Sequence, residues 1–108
     1  MPLIQRDSVT PVEMFDGAVV RRTMTDGERL MLIEGTMETG AIVPEHTHPH
    51  EQTGYLVSGR MTFEIGDETR DLKAGDCWMV PSNVPHKVTA LEPCVFVDVF
   101  SPPREEYR

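Results

Sequence analysis

The segment GAIVPEHTHPHEQTGYLVSG, residues 40–59, contains three of the four histidines of this 108-residue chain and begins and ends with glycine. His46, His48 and Gln52 have the same parity, so on an extended backbone their side chains would point to one side. Pro49 is placed to bend the segment, because proline lacks the N–H group that a strand ladder uses. The pattern indicates a cluster of metal-ligand atoms within this segment.

The fourth histidine ends a second glycine-led segment, GDCWMVPSNVPH, residues 75–86. If His86 arrives from another strand, three imidazoles and the amide oxygen of Gln52 surround one position. This donor set suits a first-row divalent ion and leaves coordination positions open. A His-x-His pair alone is weak evidence, so the prediction depends on the spacing of both segments.

The rest of the chain is typical of short β-strands separated by turns. The candidate strands cover residues 19–25, 29–37, 52–58, 61–65, 69–72, 77–80, 86–90 and 94–100. Turn signals such as Asp26-Gly27 recur about every 8–12 residues, as in a sandwich or barrel. Pro11 suits the first position of a short helical turn over residues 12–15. We therefore predict an all-β chain.

The two glycine-led segments together resemble the paired signature motifs of the cupin family over residues 40–90. The resemblance implies a double-stranded β-helix, a small jelly-roll barrel, that binds one divalent transition metal ion. Gln52 stands where the family usually has Glu, and Asn83 stands where it usually has Gly. A metal-free sugar-binding or storage cupin is the alternative. The family's ligand positions correspond to His46, His48, Gln52 and His86.

The amide at position 52 changes the predicted chemistry of the site. Three histidines and a neutral Gln52 leave the charge of a divalent ion at +2, which makes a stronger Lewis acid and a better host for an anion. The site also lacks the carboxylate of the two-His-one-carboxylate iron oxygenases. This favours polarisation of a carbonyl or hydroxyl over oxygen chemistry, with Mn, Fe, Ni and Zn all acceptable as the metal.

Asp98 and Arg104 each allow two interpretations from sequence alone. Asp98 alternates with valines and shares its parity with Phe96 and Phe100. It therefore faces either a polar cavity, with a raised pKa suited to acid/base work, or the surface. Arg104 follows two prolines, which could fold the tail back over a barrel mouth to bind a carboxylate, or it is a solvated tail charge.

His50 and Glu51 are the remaining polar residues of the first segment. His50 either faces the substrate or packs at the barrel mouth without binding metal. Glu51 has the opposite parity from the proposed ligands, so we expect it to point outward.

A more specific resemblance, to the pectin-degradation cupins of the KdgF type, involves residues 46–52, 83–86 and 98–107. It implies a metal-dependent enzyme that converts 4,5-unsaturated uronate monosaccharides from pectin or alginate into linear 5-keto-4-deoxyuronates. It also implies Asp98 as the acid/base, Phe100 as a pocket wall and Arg104 as a binder of the uronate. Alternative functions are a small metal-dependent dioxygenase, another cupin isomerase or lyase, and a non-catalytic small-molecule-binding cupin.

The length and net charge of the chain limit the number of domains and the classes of partner. A chain of 108 residues predicts one domain over 1–108, with its core over about 19–100 and a tail over 101–108. The net charge of −8 argues against nucleic acid and anionic membranes as partners. No apolar stretch approaches the ~18 residues of a membrane span, and the first residues lack a basic-then-apolar signal.

The cysteines and the candidate surface residues lead to predictions of thiol state, cellular location and oligomeric state. Cys77 and Cys94 are too few for a disulfide framework, so we expect buried, reduced thiols and a cytoplasmic location. Tyr55, Val57 and Met31 are candidates for an outer sheet face through which two copies pair. We expect a homodimer that acts on a small anionic sugar acid.

Overall fold

Strict alternation of inward and outward side chains defines the strands that form the core. In β3 (Met31–Met37) and β10 (Cys94–Ser101) every second residue is buried, which is the pattern of a strand with one face on the core. A computed structural model describes residues 2–108. The other strands are β1 Val12–Met14, β2 Val19–Asp26, β4 Ile42–His46, β5 Glu51–Ser58, β6 Arg60–Ile65, β7 Glu68–Lys73, β8 Cys77–Val80 and β9 His86–Ala90.

The ten strands form two antiparallel sheets. The six-stranded sheet has the order β1-β2-β3-β10-β5-β8, and the four-stranded sheet has the order β4-β9-β6-β7. Apolar side chains from both sheets meet between them, including Leu56, Met61, Phe63 and Val80. This sandwich of the jelly-roll type confirms the all-β prediction.

Two elements differ from the sequence prediction. Residues 42–46 form β4, which was not predicted because Pro44 and Glu45 interrupt the alternation. β4 is an edge strand, where the missing N–H group of a proline is tolerated. The helical turn expected over residues 12–15 is wrong, because Val12–Met14 pair with β2 as edge strand β1.

Two predictions of side-chain exposure are also wrong. Met31, expected on the outer sheet face, is fully buried in a cluster with Ile33, Phe100 and Tyr107 of the tail. Cys77, expected to be buried, is exposed, whereas Cys94 is buried as predicted and both thiols are free. Burial raises the pKa of the Cys94 thiol, so this cysteine is the less reactive of the two.

The C-terminal tail leaves β10 at the prolines, as predicted, and returns to the protein surface. It ends in a 3₁₀ helix, Glu105–Tyr107, in which Tyr107 is buried. The Thr23 hydroxyl donates a hydrogen bond to the Tyr107 carbonyl at 2.6 Å, and Arg108 pairs with Asp26 at 2.9 Å. The tail is therefore bound along β2. Within residues 2–108, no helix has the length and apolarity needed to cross a membrane.

Candidate metal centre

Three histidines from separate elements meet at one end of the space between the sheets. His46 ends β4 and lies opposite His86, the first residue of β9, in the strand register. His48 lies in the connection from β4 to β5. One ring nitrogen of each lies within 4.8 Å of the others, and the closest ring centroids, those of His46 and His86, are 4.2 Å apart. This group could hold one metal ion.

Backbone carbonyl groups orient all three rings in the same way. The Nδ1 atoms of His46, His48 and His86 lie 2.9, 3.0 and 2.9 Å from the carbonyl oxygens of Pro44, His50 and Val84 respectively. Since a carbonyl can only accept, each Nδ1 donates and each Nε2 keeps its lone pair. Such outer hydrogen bonds are usual for metal-binding histidines.

The protonation state of the histidines also suits metal binding. Burial lowers the pKa of His86 to about 4 and lowers that of His48. Both imidazoles are therefore neutral at pH 7, the form that binds metal ions. The Nε2 atom of His86 is buried and has no hydrogen-bond partner within the described chain, so a cation would satisfy a group that is otherwise left unpaired.

Gln52 reaches the histidines from the opposite sheet. Its Oε1 atom lies 3.0 Å from Nε2 of His48, and its side chain hydrogen-bonds Asp98. The carboxylate of Asp98 takes the amide N–H, so Oε1 presents a lone pair to the lone pair of His48. Two acceptors at this distance repel each other unless a cation lies beside both.

The reason for this convergence differs from the sequence prediction. His46 and Gln52 do not share one extended strand, because the chain leaves the four-stranded sheet after His46 and enters the six-stranded sheet at Glu51. Glu51 is exposed, as predicted. The ring of His50 lies 5.6 Å from that of His48, and His50 is outside the group of three. A role of His50 in substrate binding stays a prediction.

Asp98 faces the interior, so the alternative of a surface position is wrong. It is 5% exposed, and its Oδ1 atom accepts a hydrogen bond of 2.7 Å from Nε1 of Trp78. Burial raises the pKa of Asp98 to about 6, against the opposing effects of the Trp78 and Gln52 hydrogen bonds and of Arg104. A carboxyl group with such a pKa can hold or release a proton near neutral pH.

Asp98 shares one cavity of about 50 Å³ between the sheets with three of the predicted metal ligands, His46, Gln52 and His86. Trp78, Tyr107 and apolar side chains from both sheets complete its lining. Phe100 lies on its wall, beside His48 at a ring-centroid distance of 5.8 Å. The cavity therefore brings a buried carboxyl group and three of the four candidate metal ligands together.

Arg104 is not a solvated tail charge. Its side chain is 11% exposed and pairs with Glu106 at 2.6 Å. The guanidinium lies 5.2 Å from the ring centroid of Phe100 and 4.3 Å from that of Tyr107. Its positive charge also lowers the pKa of His48 and His86 and limits the rise in the pKa of Asp98, in each case as a smaller effect than burial.

Sequence reasoning missed Phe15, which lines the cavity, and Arg21, which contacts the tail. Phe15 lies in the β1–β2 turn with φ of 53°, and its ring is 5.9 Å from that of His46. The Asp16-Gly17 dipeptide that follows is a hairpin signal and could have located this turn. Arg21 occupies an inward position of β2 beside the tail. Because Arg21 has the same parity as the apolar Val19, the strand pattern could have predicted that it faces inward.

The fold and the three-histidine group are those of a cupin, and the comparison with known families agrees. The profile of the family Cupin_2, described as "Cupin domain", matches residues 33–100. The chain belongs to this family.

Among its relatives, the chain is similar to the pectin degradation protein KdgF of Dickeya dadantii (strain 3937). The two are 35% identical over 103 residues, which cover 94% of each protein. It also matches the solved structure of KdgF from Halomonas sp. with a TM-score of 0.92 and 28% identity, over 99% of this chain and 100% of that one. An oxalate decarboxylase, OxdC of Bacillus subtilis (strain 168), is 32% identical over 68% of this chain but only 20% of its own length.

Proposed function

We propose that this cupin converts 4,5-unsaturated uronate monosaccharides, derived from pectin or alginate, into linear 5-keto-4-deoxyuronates. The observation that carries the proposal is the buried contact between Asp98, with its pKa raised to about 6, and Gln52, which faces the histidines. A buried carboxyl group that can exchange a proton near neutral pH, beside histidines that could hold a Lewis-acidic ion, supports this chemistry. The similarity to KdgF over 94% of the chain supports the choice of substrate.

The proposed metal ligands are the three histidines and the Oε1 atom of Gln52. When bound, a divalent Mn, Fe, Ni or Zn ion supplies Lewis-acid polarisation of a substrate oxygen. All four donors are neutral, so the ion keeps its +2 charge for an anionic substrate. The ligands are His46, His48, Gln52 and His86.

Asp98 is the proposed acid/base of an isomerisation that needs no oxidant. Its carboxylate takes the proton of the anomeric hydroxyl while the bond between C1 and the ring oxygen breaks. The electron pair stays on the ring oxygen, which gives an aldehyde at C1 and an enolate over C4 and C5. Asp98 then returns the proton to C4, and the ketone forms at C5. Substrate and product are isomers, so atoms and electrons balance.

Arg104 and Phe100 are the proposed substrate-binding residues. The Arg104 guanidinium can bind the uronate carboxylate with two parallel hydrogen bonds, in exchange for its exposed partner Glu106. Phe100 forms the apolar wall against which the sugar ring lies. His50 is a further candidate for contact with the substrate. A homodimer and a cytoplasmic location also remain predictions.

The test is the ultraviolet absorbance of an unsaturated uronate after addition of metal-loaded protein. The conjugated double bond is consumed, so absorbance should fall, and it should fall equally with and without oxygen. A trace that stays flat contradicts the proposed substrate. A fall that occurs only in air contradicts the isomerisation and indicates a dioxygenase.

A further inference from the structure

Arg21 is a buried cation without a carboxylate partner in the part of the chain that the structure describes. It is 7% exposed, and its Nε atom is buried without a hydrogen-bond partner. One guanidinium nitrogen, Nη1, lies 3.0 Å from the sulfur of Met14, which is a weak acceptor. Burial lowers the pKa of Arg21. A charge held in this way is costly, so its position requires another stabilising contact.

That contact is the aromatic ring of Tyr107. The guanidinium carbon of Arg21 lies 4.5 Å from the ring centroid, and that of Arg104 lies 4.3 Å from the same centroid. Both distances are within the range of cation–π attraction. Tyr107 is itself fixed, because it is buried and its carbonyl accepts the hydrogen bond from Thr23 in β2. One ring from the tail thus joins β2 to Arg104.

The charges in this cluster favour an anionic ligand. Arg104 pairs with Glu106, whereas Arg21 forms no ion pair within the described residues, so the cluster carries a surplus of positive charge. The two guanidinium groups lie over the same ring, and the charge of Arg104 adds to the effect of burial in lowering the pKa of Arg21. A second anion would relieve this repulsion, although the whole chain has a net charge of −8.

We propose that Tyr107 and Arg21 are positioning residues that hold the Arg104 guanidinium beside Phe100 of the cavity wall, ready for the carboxylate of a sugar acid. This inference rests on the proposed function, because it takes Arg104 as the carboxylate-binding group. The ring of Tyr107, not its hydroxyl, is the part that matters. Arg21 keeps that ring in place from β2.

The first experiment separates the effect of the aromatic face of Tyr107 from the effect of its side-chain volume. Tyr107→Phe keeps the aromatic face, and Tyr107→Leu keeps an apolar side chain without it. We expect Y107F to stay within about twofold of wild type, and Y107L to raise KM about tenfold, the scale of one desolvated cation–π contact. The kcat should change little, because Asp98 and the candidate metal ligands are untouched.

The second pair of variants tests Arg21. Arg21→Lys keeps the cation, whereas Arg21→Met keeps only the length of the side chain, so R21M should raise KM and R21K should restore much of the loss. Arg22→Met is the matched control, because Arg22 is the next residue of β2 and interacts with Glu34 and Val9. Thermal unfolding of each variant confirms that it is folded.

A binding measurement provides a readout besides activity. Calorimetric titration of metal-free protein with D-galacturonate, a saturated uronate, should give a dissociation constant about tenfold weaker for Y107L than for Y107F. Equal dissociation constants for Y107F and Y107L overturn the inference. Equal KM values for these two variants overturn it as well. A wild-type protein that turns over no unsaturated uronate overturns the proposed function, whereas the ratio of the two constants decides this inference by itself.

Discussion

Asp98 shows how a single residue can be assigned from a strand pattern. Its neighbours of the same parity are aromatic, and the structure buries all three on the inward face of β10. Burial alone would favour a neutral carboxyl group. Hydrogen bonds from Trp78 and Gln52 partly offset that effect, so the pKa of Asp98 is raised to about 6 and no further.

Asp98→Asn should therefore separate proton transfer from folding. The asparagine oxygen can still accept the Trp78 N–H bond, so we expect a folded protein with unchanged metal content. Loss of acid/base catalysis should lower kcat by about 10²–10⁴-fold. The measurement is the initial rate of absorbance loss, beside the metal content. Asp71→Asn, at an exposed position that accepts a hydrogen bond from Thr62, is the control and should keep the wild-type rate.

Arg21 and Tyr107 mark the limit of residue-level prediction. Histidine spacing could predict the three-histidine group, and alternation could predict the inward position of Asp98. The contact of Thr23 with Tyr107 joins residues 84 positions apart. No local pattern carries that information, because the tail is held by contacts with β2, which is distant in the sequence.

At the level of elements, glycines on β3 and β5 make room for the large inward side chains. Gly54 lies between Asp98 of β10 and Trp78 of β8 in the strand register. A Cβ atom at Gly54 would collide with the Asp98 carboxylate and with the Trp78 indole. Gly35 likewise lies opposite the ring of Phe96. The hydrogen bond between Trp78 and Asp98 therefore exists only because the strand between them has no side chain there.

Gly54→Ala should break this arrangement. Overpacking of a rigid buried site costs about 1–3 kcal/mol, so Tm should fall by roughly 5 °C or more, and activity should fall because Asp98 is displaced. Thermal unfolding and the absorbance assay measure the two effects. Gly27→Ala is the comparison, because the added methyl would approach only the Leu30 carbonyl, at 3.1 Å. An unchanged Tm for G54A would show that Asp98 and Trp78 can move apart at little cost.

The strand prediction failed at β1 and β4, two of the four edge strands, and physical reasons explain both cases. Val12–Met14 has no strong pattern of its own and becomes a strand only by pairing with β2. β4 contains Pro44, which sequence reasoning reads as a strand breaker. Missing β4 led to the wrong account of why His46 and Gln52 converge, although the convergence itself was expected.

At the scale of the whole molecule, metal binding should stabilise the fold. The histidines are held by backbone carbonyls, and the His86 Nε2 atom is unpaired within residues 2–108. An ion at 100 times its dissociation constant adds about 2.7 kcal/mol to the free energy of unfolding, a rise in Tm of roughly 10 °C.

Thermal unfolding of chelator-treated protein with added Ni²⁺, Mn²⁺, Fe²⁺ or Zn²⁺ measures this rise. His86→Ala should abolish it. Lys87→Ala, which changes the next, outward-facing residue of β9, should leave it unchanged. An equal rise in H86A and wild type would place the ion elsewhere.

Self-association is the other prediction at this scale. Tyr55 and Val57 on β5, together with Met79 on the neighbouring β8, expose about half of their surface on the outer face of the six-stranded sheet. An apolar group of this kind suits contact with a second copy, whereas the buried Met31 cannot contribute. Because each copy carries a net charge of −8, salt should weaken the repulsion between copies and favour the dimer.

Size-exclusion chromatography at two protein concentrations and two salt concentrations measures this association. Val57→Lys should give a monomer that still binds metal, because the substitution is on the outer face. Leu30→Lys introduces the same charge at an exposed apolar residue outside β5 and β8 and should remain dimeric. A wild-type protein that elutes as a monomer under all four conditions would show that this face has no partner copy. Dissociation of L30K to the same extent as V57K would mean that added charge, rather than loss of the apolar contact, separates the copies.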